Sequence, residues 1–260
     1  MTDAAIVTEK LTRRFGNLTA VDGVDLTVAA GQFFGFLGPN GAGKSTTIKM
    51  LTGLLAPSSG RAQLLGLDFA RHPVEVKRQI GVVPEGMGLF ERLTGAEYLQ
   101  FVGRMYGLDR PTTQRRSEEL LDFMQLSDRP KTLIADYSHG MQKKLALAAA
   151  VIHGPRILFL DEPFEGVDAL AAGALKALLG RMTERGVTIF LPRMSWRLSS
   201  VSAATWLSFT KAVWSHRVRL KSCARESLVK KEARRLSSKF FSPSWARTAP
   251  SGLNSRNSRG

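Results

Sequence analysis

The stretch FFGFLGPNGAGKSTTIKML, residues 33 to 51, narrows the possible folds more than any other part of this 260-residue chain. Its apolar run from Phe33 to Leu37 has the makeup of a buried strand. Gly38-Pro39-Asn40-Gly41-Ala42-Gly43-Lys44-Ser45 then spells G-x-x-x-x-G-K-S, and a helix is expected from Ser45 to Leu54. Glycines let the backbone curl so that successive N–H groups converge on an anion. The helix N-terminus adds a field that favours negative charge. Lys44 offers a cation to the β- and γ-phosphates of a nucleotide, and Ser45 a hydroxyl ligand for Mg²⁺. Thr46 carries the loop into the helix. A Gly-rich turn with a chance Lys is the alternative, and the flanking strand and helix argue against it.

A second stretch fits the same chemistry. In RILFLDEPFEGVDA the apolar run Ile157–Leu160 ends in Asp161-Glu162. A carboxylate at the end of a parallel strand lies at the ligand crevice of an open α/β sheet. Asp161 is placed to hold Mg²⁺ through water, and Glu162 to take a proton from an attacking water. Taken alone, this run reads equally well as a polar strand end before a Pro-marked turn.

Between the two motifs stands YSHGMQKKLALAAAVIHGPRILFLDEP. Here the chain resembles the ATP-binding subunits of ABC transporters, over roughly residues 4–191. Such subunits carry a signature, commonly L-S-G-G-Q, shortly before the second carboxylate motif. This chain has Tyr137-Ser138-His139-Gly140-Met141 at that place, and His139 and Met141 depart from the common pattern. Ser138 is also suited to cap an ordinary core helix, with its free N–H groups forming an anion site. In the family, this site completes the ATP pocket of a second subunit, so two chains sandwich two nucleotides.

The resemblance implies further roles. Phe15, at the end of LTRRF, stands where an aromatic stacks on adenine; a buried strand-end Phe is the competing reading. Glu85 takes the place of a Gln that senses Mg²⁺ and the membrane partner. It serves either as a charged ligand or as a solvated loop acid. Asp168 falls near the dimer seam. The fold implied is α/β, a P-loop NTPase core sheet with an antiparallel β subdomain and a helical subdomain. The activity implied is ATP hydrolysis with Mg²⁺, the partners a transmembrane permease and an identical or paralogous ATPase subunit. The expected location is the cytoplasmic face of the membrane. A non-transport ATPase of the same superfamily is the rival reading. Such relatives usually carry two ATPase units or a long coiled-coil insertion, and neither is evident.

The organisation is set by periodicity. Residues 1–86 hold the β-rich start and the phosphate loop. Residues 87–137 show helical spacing in GAEYLQFVGRMYGL and RRSEELLDFMQL, as a helical subdomain should. Residues 138–191 return to the sheet, with ALKALLGRMTERG an amphipathic helix ended by Gly186 and VTIFL the next strand. The single Cys excludes a disulfide framework. No early stretch reads as a signal peptide, and the longest apolar helix candidate, LALAAAVI, is too short to span a bilayer.

After Leu191 the character changes. The net charge is +15, which invites a nucleic-acid reading. Yet 15 of the 37 Lys and Arg, and only 2 of the 22 Asp and Glu, fall in residues 192–260, together with all four Trp. The basicity belongs to this tail, so no nucleic-acid partner is expected for the domain. In the family, a strand such as VTIFL precedes a Ser/Thr-x-His switch whose His contacts the γ-phosphate; here Pro192-Arg193-Met194 comes next. The genetic code offers an account. Read one nucleotide back, PRMSWR is compatible with Thr-Ser-His-Val-Leu-Glu. AATWLSFTKAVW is likewise compatible with G-H-V-A-I-I-H-K-G-R-L. Further matches at RLKSCARES and EARRLSSKFF keep the family order. The reading is a frame shift between Thr188 and Pro192, which leaves 192–260 an aberrant basic tail, disordered or poorly packed. The competing reading is a natural tail that binds anionic lipid or nucleic acid.

Overall fold

The computed structural model describes residues 4–37, 41–84, 86–161, 167, 169–191, 204–208 and 215–216. In chain order the first elements are β1 (Ala4–Phe15), β2 (Leu18–Ala29), β3 (Phe33–Leu37) and α1 (Lys44–Leu51). Next come β4 (Ser59–Leu64), β5 (Leu67–Asp68), α2 (Pro73–Gln79) and β6 (Ile80–Val83). After these stand α3 (Gly95–Met105), α4 (Arg110–Phe123), α5 (His139–Val151), β7 (Ile157–Leu160), α6 (Ala169–Glu184) and β8 (Thr188–Leu191). A 3-10 turn (Ile134–Asp136) precedes α5, and two late strands, β9 (Ala204–Ser208) and β10 (Ser215–His216), complete the described set.

The strands form two sheets. One is antiparallel, in the order β2-β1-β4-β5; the other runs β10-β9-β3-β8-β7-β6. In the second sheet β6, β7, β8, β3 and β9 are mutually parallel, and β10 turns back on β9. Strands buried on both faces read as nearly continuous apolar runs; β7 and β8 are fully buried, and the one polar residue of the two, Thr188, accepts from the Gly31 N–H at 3.0 Å. Their alternation feeds two cores. Leu158, Leu160, Ile189 and Leu191 pack with α3, α4, α5 and α6. Ile157, Phe159 and Phe190 pack with Phe34, Phe36, the antiparallel sheet and α1. Phe190 lies at the middle of this second core, its ring centroid 5.3 Å from Phe34, 5.5 Å from Phe36 and 5.3 Å from Phe159.

The helical segment sits between β6 and α5. Thr94 starts α3 with a reciprocal capping box, its side chain accepting from the Glu97 N–H while Glu97 accepts from the Thr94 N–H. Asp109 caps α4 through Thr112, with Pro111 in its first turn. Gly103 lets α3 and α4 meet closely, since a Cβ there would lie 2.7 Å from Thr113 Cγ2.

Two expectations change. The helix after the phosphate loop ends at Leu51 rather than Leu54. Gly53, at φ +69, takes up the left-handed turn that stops it, and the Leu54 and Leu55 N–H groups fold back on the Lys49 carbonyl. The tail also contributes regular structure: Ala204–Ser208 pairs with the whole length of β3, and β10 pairs with it at the sheet edge. The rest of residues 192–260, apart from β10, lies outside the described residues.

Candidate functional site

The carboxyl end of the parallel sheet collects the site. β3 leads into the phosphate loop and β7 into Asp161, with β8 between them. Gly38, Pro39 and Asn40 lie outside the described residues, as do Glu85, Glu162, Asp168 and residues 192–203 that follow β8. The rest of the loop is shaped by backbone sterics. Gly41 and Gly43 have φ of +82 and +83, a region that L side chains rarely adopt. At Gly43 a Cβ would also lie 2.3 Å from the Ala20 carbonyl oxygen of β2. Glycine is therefore required twice over, for conformation and for contact.

Gly43 is the N-cap of α1 and offers no side chain to the first N–H groups. A helix start without a side-chain cap suits an exogenous anion, which a Ser, Thr or Asp cap at this position would compete with. Lys44 is buried at the first helical position and Ser45 is exposed. Thr46 is half-buried, while Thr47 turns inward and donates to the Gly43 carbonyl at 2.9 Å.

Ser45 and Asp161 line one cavity of about 320 Å³ with Lys49, Val83, Pro84 and Gly86. Asp161 is held there by its own N–H, which donates to the Val83 carbonyl at 2.9 Å. The two oxygens suit a hard cation, whose remaining ligands would come from phosphates and water. Among the described residues no group of three His, Cys, Asp or Glu could hold a metal ion by itself. The two residues that flank Glu85 reach the cavity wall, which sequence reasoning had not assigned.

Phe15 ends β1 at the tip of the β1–β2 hairpin, paired with Leu18. It is 46% exposed, which removes the reading of a buried strand-end Phe. The Arg13 guanidinium lies over its ring, 4.6 Å from the centroid. Sequence reasoning missed this contact, although residues i and i+2 of a strand share a face.

Ser138 caps α5 as expected, accepting from the Met141 N–H at 3.3 Å. Ser138 and His139 are exposed and Gly140 is half-buried. The signature therefore lies on the surface at the start of α5, and it lines no part of the cavity formed by Ser45 and Asp161.

A family model described as ABC transporter matches residues 21–165. The daunorubicin/doxorubicin resistance ATP-binding protein of Streptomyces peucetius is 40% identical over 187 residues, covering 72% of this chain and 57% of that protein. The linearmycin resistance ATP-binding protein of Bacillus subtilis is 36% identical over 181 residues, covering 70% of this chain and 58% of the relative. The chain thus spans somewhat under three-fifths of the length of these two curated relatives. Among solved structures, an ATP-binding subunit of an ABC transporter superposes with a TM-score of 0.73 at 29% identity, over 81% of this chain and 90% of its own. A dimeric ATP-binding cassette bound to ADP and Pi shares the fold, with a TM-score of 0.71 at 21% identity over 84% of this chain and all of its own. With a phosphate loop and a carboxylate facing one cavity at the carboxyl edge of such a sheet, the chain belongs to the ABC transporter family, as one of its ATP-binding proteins.

Proposed function

We propose that this chain binds and hydrolyses ATP to drive a separate membrane permease, as the motor subunit of an ABC transporter. The observation that carries the reading is the shared cavity of Ser45 and Asp161, where the phosphate loop and the end of β7 converge. No helix among the described residues is long and apolar enough to cross a membrane, so the transport path would belong to another chain. The subunit would then work at the cytoplasmic face. Relatives named for daunorubicin resistance, bacitracin transport and Nod factor export support an outward direction.

The nucleotide's phosphates would bind at the N-terminus of α1 and at Lys44. Mg²⁺, held by Ser45 and Asp161, would neutralise charge on the β- and γ-phosphates. Glu162 would orient a water and accept its proton, and Glu85 would stand beside the same cavity. Ser138, His139 and Gly140 of a second subunit would close the pocket, with Asp168 near the seam.

Turnover is the step put at risk by Pro192-Arg193-Met194, which replace the family's switch His after β8. A nucleotide-binding module with impaired turnover is therefore the second reading for the chain as written.

The test is ATP titration of the full chain with and without Mg²⁺. Ser45→Ala and Asp161→Asn should each abolish the strengthening by Mg²⁺ while leaving metal-free binding. A Mg²⁺ effect that survives both substitutions removes the metal assignment.

A further inference from the structure

We propose that Arg13 is a positioning residue for the nucleobase: it clamps Phe15 from behind and sets the ring as a platform for adenine. The proposal rests on the nucleotide-binding reading above and extends it to a residue that the sequence reading gave no role.

Four observations lead to it. Phe15 is a large aromatic left 46% exposed, at the tip of a hairpin rather than over a core. That hairpin touches the phosphate loop: the Ala20 carbonyl of β2 is what excludes a Cβ at Gly43. Phe15 pairs with Leu18, two residues along β2 from Ala20, which is about 7 Å of strand. A base attached through a ribose to phosphates in the loop spans a comparable length. Lastly, one face of the ring is already taken by the Arg13 guanidinium, at 4.6 Å.

The guanidinium is itself anchored. Its Nη1 donates to the Ala56 carbonyl at 2.8 Å, beyond the end of α1, and its Nε is buried without a hydrogen-bond partner among the described residues. Neighbouring backbone holds the same junction. The Ser58 N–H donates to the Thr12 carbonyl at 2.8 Å, and the Arg14 N–H to Ser58 Oγ at 3.0 Å. A cation fixed over one face of an aromatic ring restricts that ring to one tilt. A base stacking on the other face then meets a surface already ordered, and loses less freedom on binding.

The clamp makes a selective forecast, because it acts on the base and not on the phosphates. ATP and inorganic tripolyphosphate are titrated into the full chain and its variants. Arg13→Ala should weaken ATP by about two- to fivefold, the worth of an exposed cation–π contact, and leave tripolyphosphate unchanged. Arg13→Lys should recover part of the loss. Arg13→Gln keeps a donor for Ala56 without the cation, and serves if Arg13→Ala does not fold. In a Phe15→Ala background, Arg13→Ala should have no further effect on ATP. Equal losses for ATP and tripolyphosphate would overturn the proposal, as would a loss that persists without Phe15 or an unchanged ATP affinity. Lys44→Ala keeps the two readings apart: if it leaves tripolyphosphate binding intact, the phosphate-loop reading fails whatever Arg13 does.

Discussion

Gly43 and Lys44 stand side by side and fail in different ways when changed. Gly43→Ala forces a left-handed L residue, at about 1–2 kcal/mol, and sets its Cβ against the Ala20 carbonyl. The loop must move, so both melting temperature and ATP affinity should fall. Lys44→Ala leaves the backbone alone and removes one charge from the phosphates. ATP affinity should drop by at least about tenfold, the worth of a charge-assisted contact, without the left-handed strain and backbone clash that lower the melting temperature of Gly43→Ala. Titration calorimetry beside thermal melts separates the two, and a Lys44→Ala protein that binds ATP normally removes this Lys from the site. Glu162→Gln should bind ATP as the parent does yet turn over at least about 100-fold more slowly, since an amide cannot take the proton from water. The comparison belongs in a protein with the switch His restored, where turnover is measurable; an undiminished rate there rules out Glu162 as the base.

At the scale of elements, the joint between the helical segment and the sheet carries buried polar groups that the mechanism does not use. Arg116 of α4 is fully buried and donates to the Ile152 carbonyl at 2.8 Å. Burial pushes its pKa down to about 10. His153 stacks on Tyr106, which caps the end of α3, with 3.7 Å between ring centroids. Its Nε2–H donates to the Ile80 carbonyl at 3.0 Å, leaving Nδ1 buried and unpaired among the described residues. Although His153 as a whole is only half-buried, desolvation of its ring and the nearby Arg116 cation hold its pKa down at about 4, against some support from the Ile80 carbonyl. The unfolded chain therefore binds this proton first as pH falls. Stability is intact above about pH 6.5 and is lost between 6.5 and 4. From pH 7 to pH 5 the loss should be about 2 kcal/mol. His153→Gln keeps an N–H donor without a titrating ring, so its denaturation midpoint should fall less over the same interval. Identical pH profiles for parent and variant would dismiss His153 as the acid-sensitive group.

For the whole molecule, the decisive segment is the one that leaves β8. The strand ends at Leu191 between β3 and β7, at the middle of the carboxyl edge where phosphates would lie. On the proposed reading a switch residue there would face the γ-phosphate, and its replacement would leave the binding determinants in place while removing one for turnover. β9 extends the sheet beyond β3, so changes in the tail also reach the packing of the phosphate-loop strand. Restoring the Thr-Ser-His frame should raise the ATPase rate at saturating Mg-ATP and raise the melting temperature, because a core strand and helix of the family's kind replace the present tail. Equal rate and equal stability in the two proteins would make the tail natural and dismiss the frame shift.

Much of this was written in local sequence, where the governing physics is local. Phe33–Leu37 and Ile157–Leu160 were legible as strands because a strand buried on both faces reads as a nearly continuous apolar run. The end of α6 before Gly186 was legible because a left-handed residue stops a helix. Ser138 was legible as a cap because its hydroxyl replaces a missing helical partner. The early stop of α1 was open to the same reasoning through Gly53, but the apolar run to Leu55 masked it. The contacts that remained hidden depend on residues far apart in the chain. That Gly43 is closed by Ala20, that Ser45 shares a cavity with Asp161, and that Arg13 binds Ala56 while covering Phe15 are contacts between segments brought together by packing. The burial of Arg116 and His153 is of the same kind, because a helix pattern shows which face is polar and not which neighbour will cover it. Periodicity reports one chain segment against solvent; the second surface, and with it the site, exists only once the sheet order has set which strand ends lie side by side.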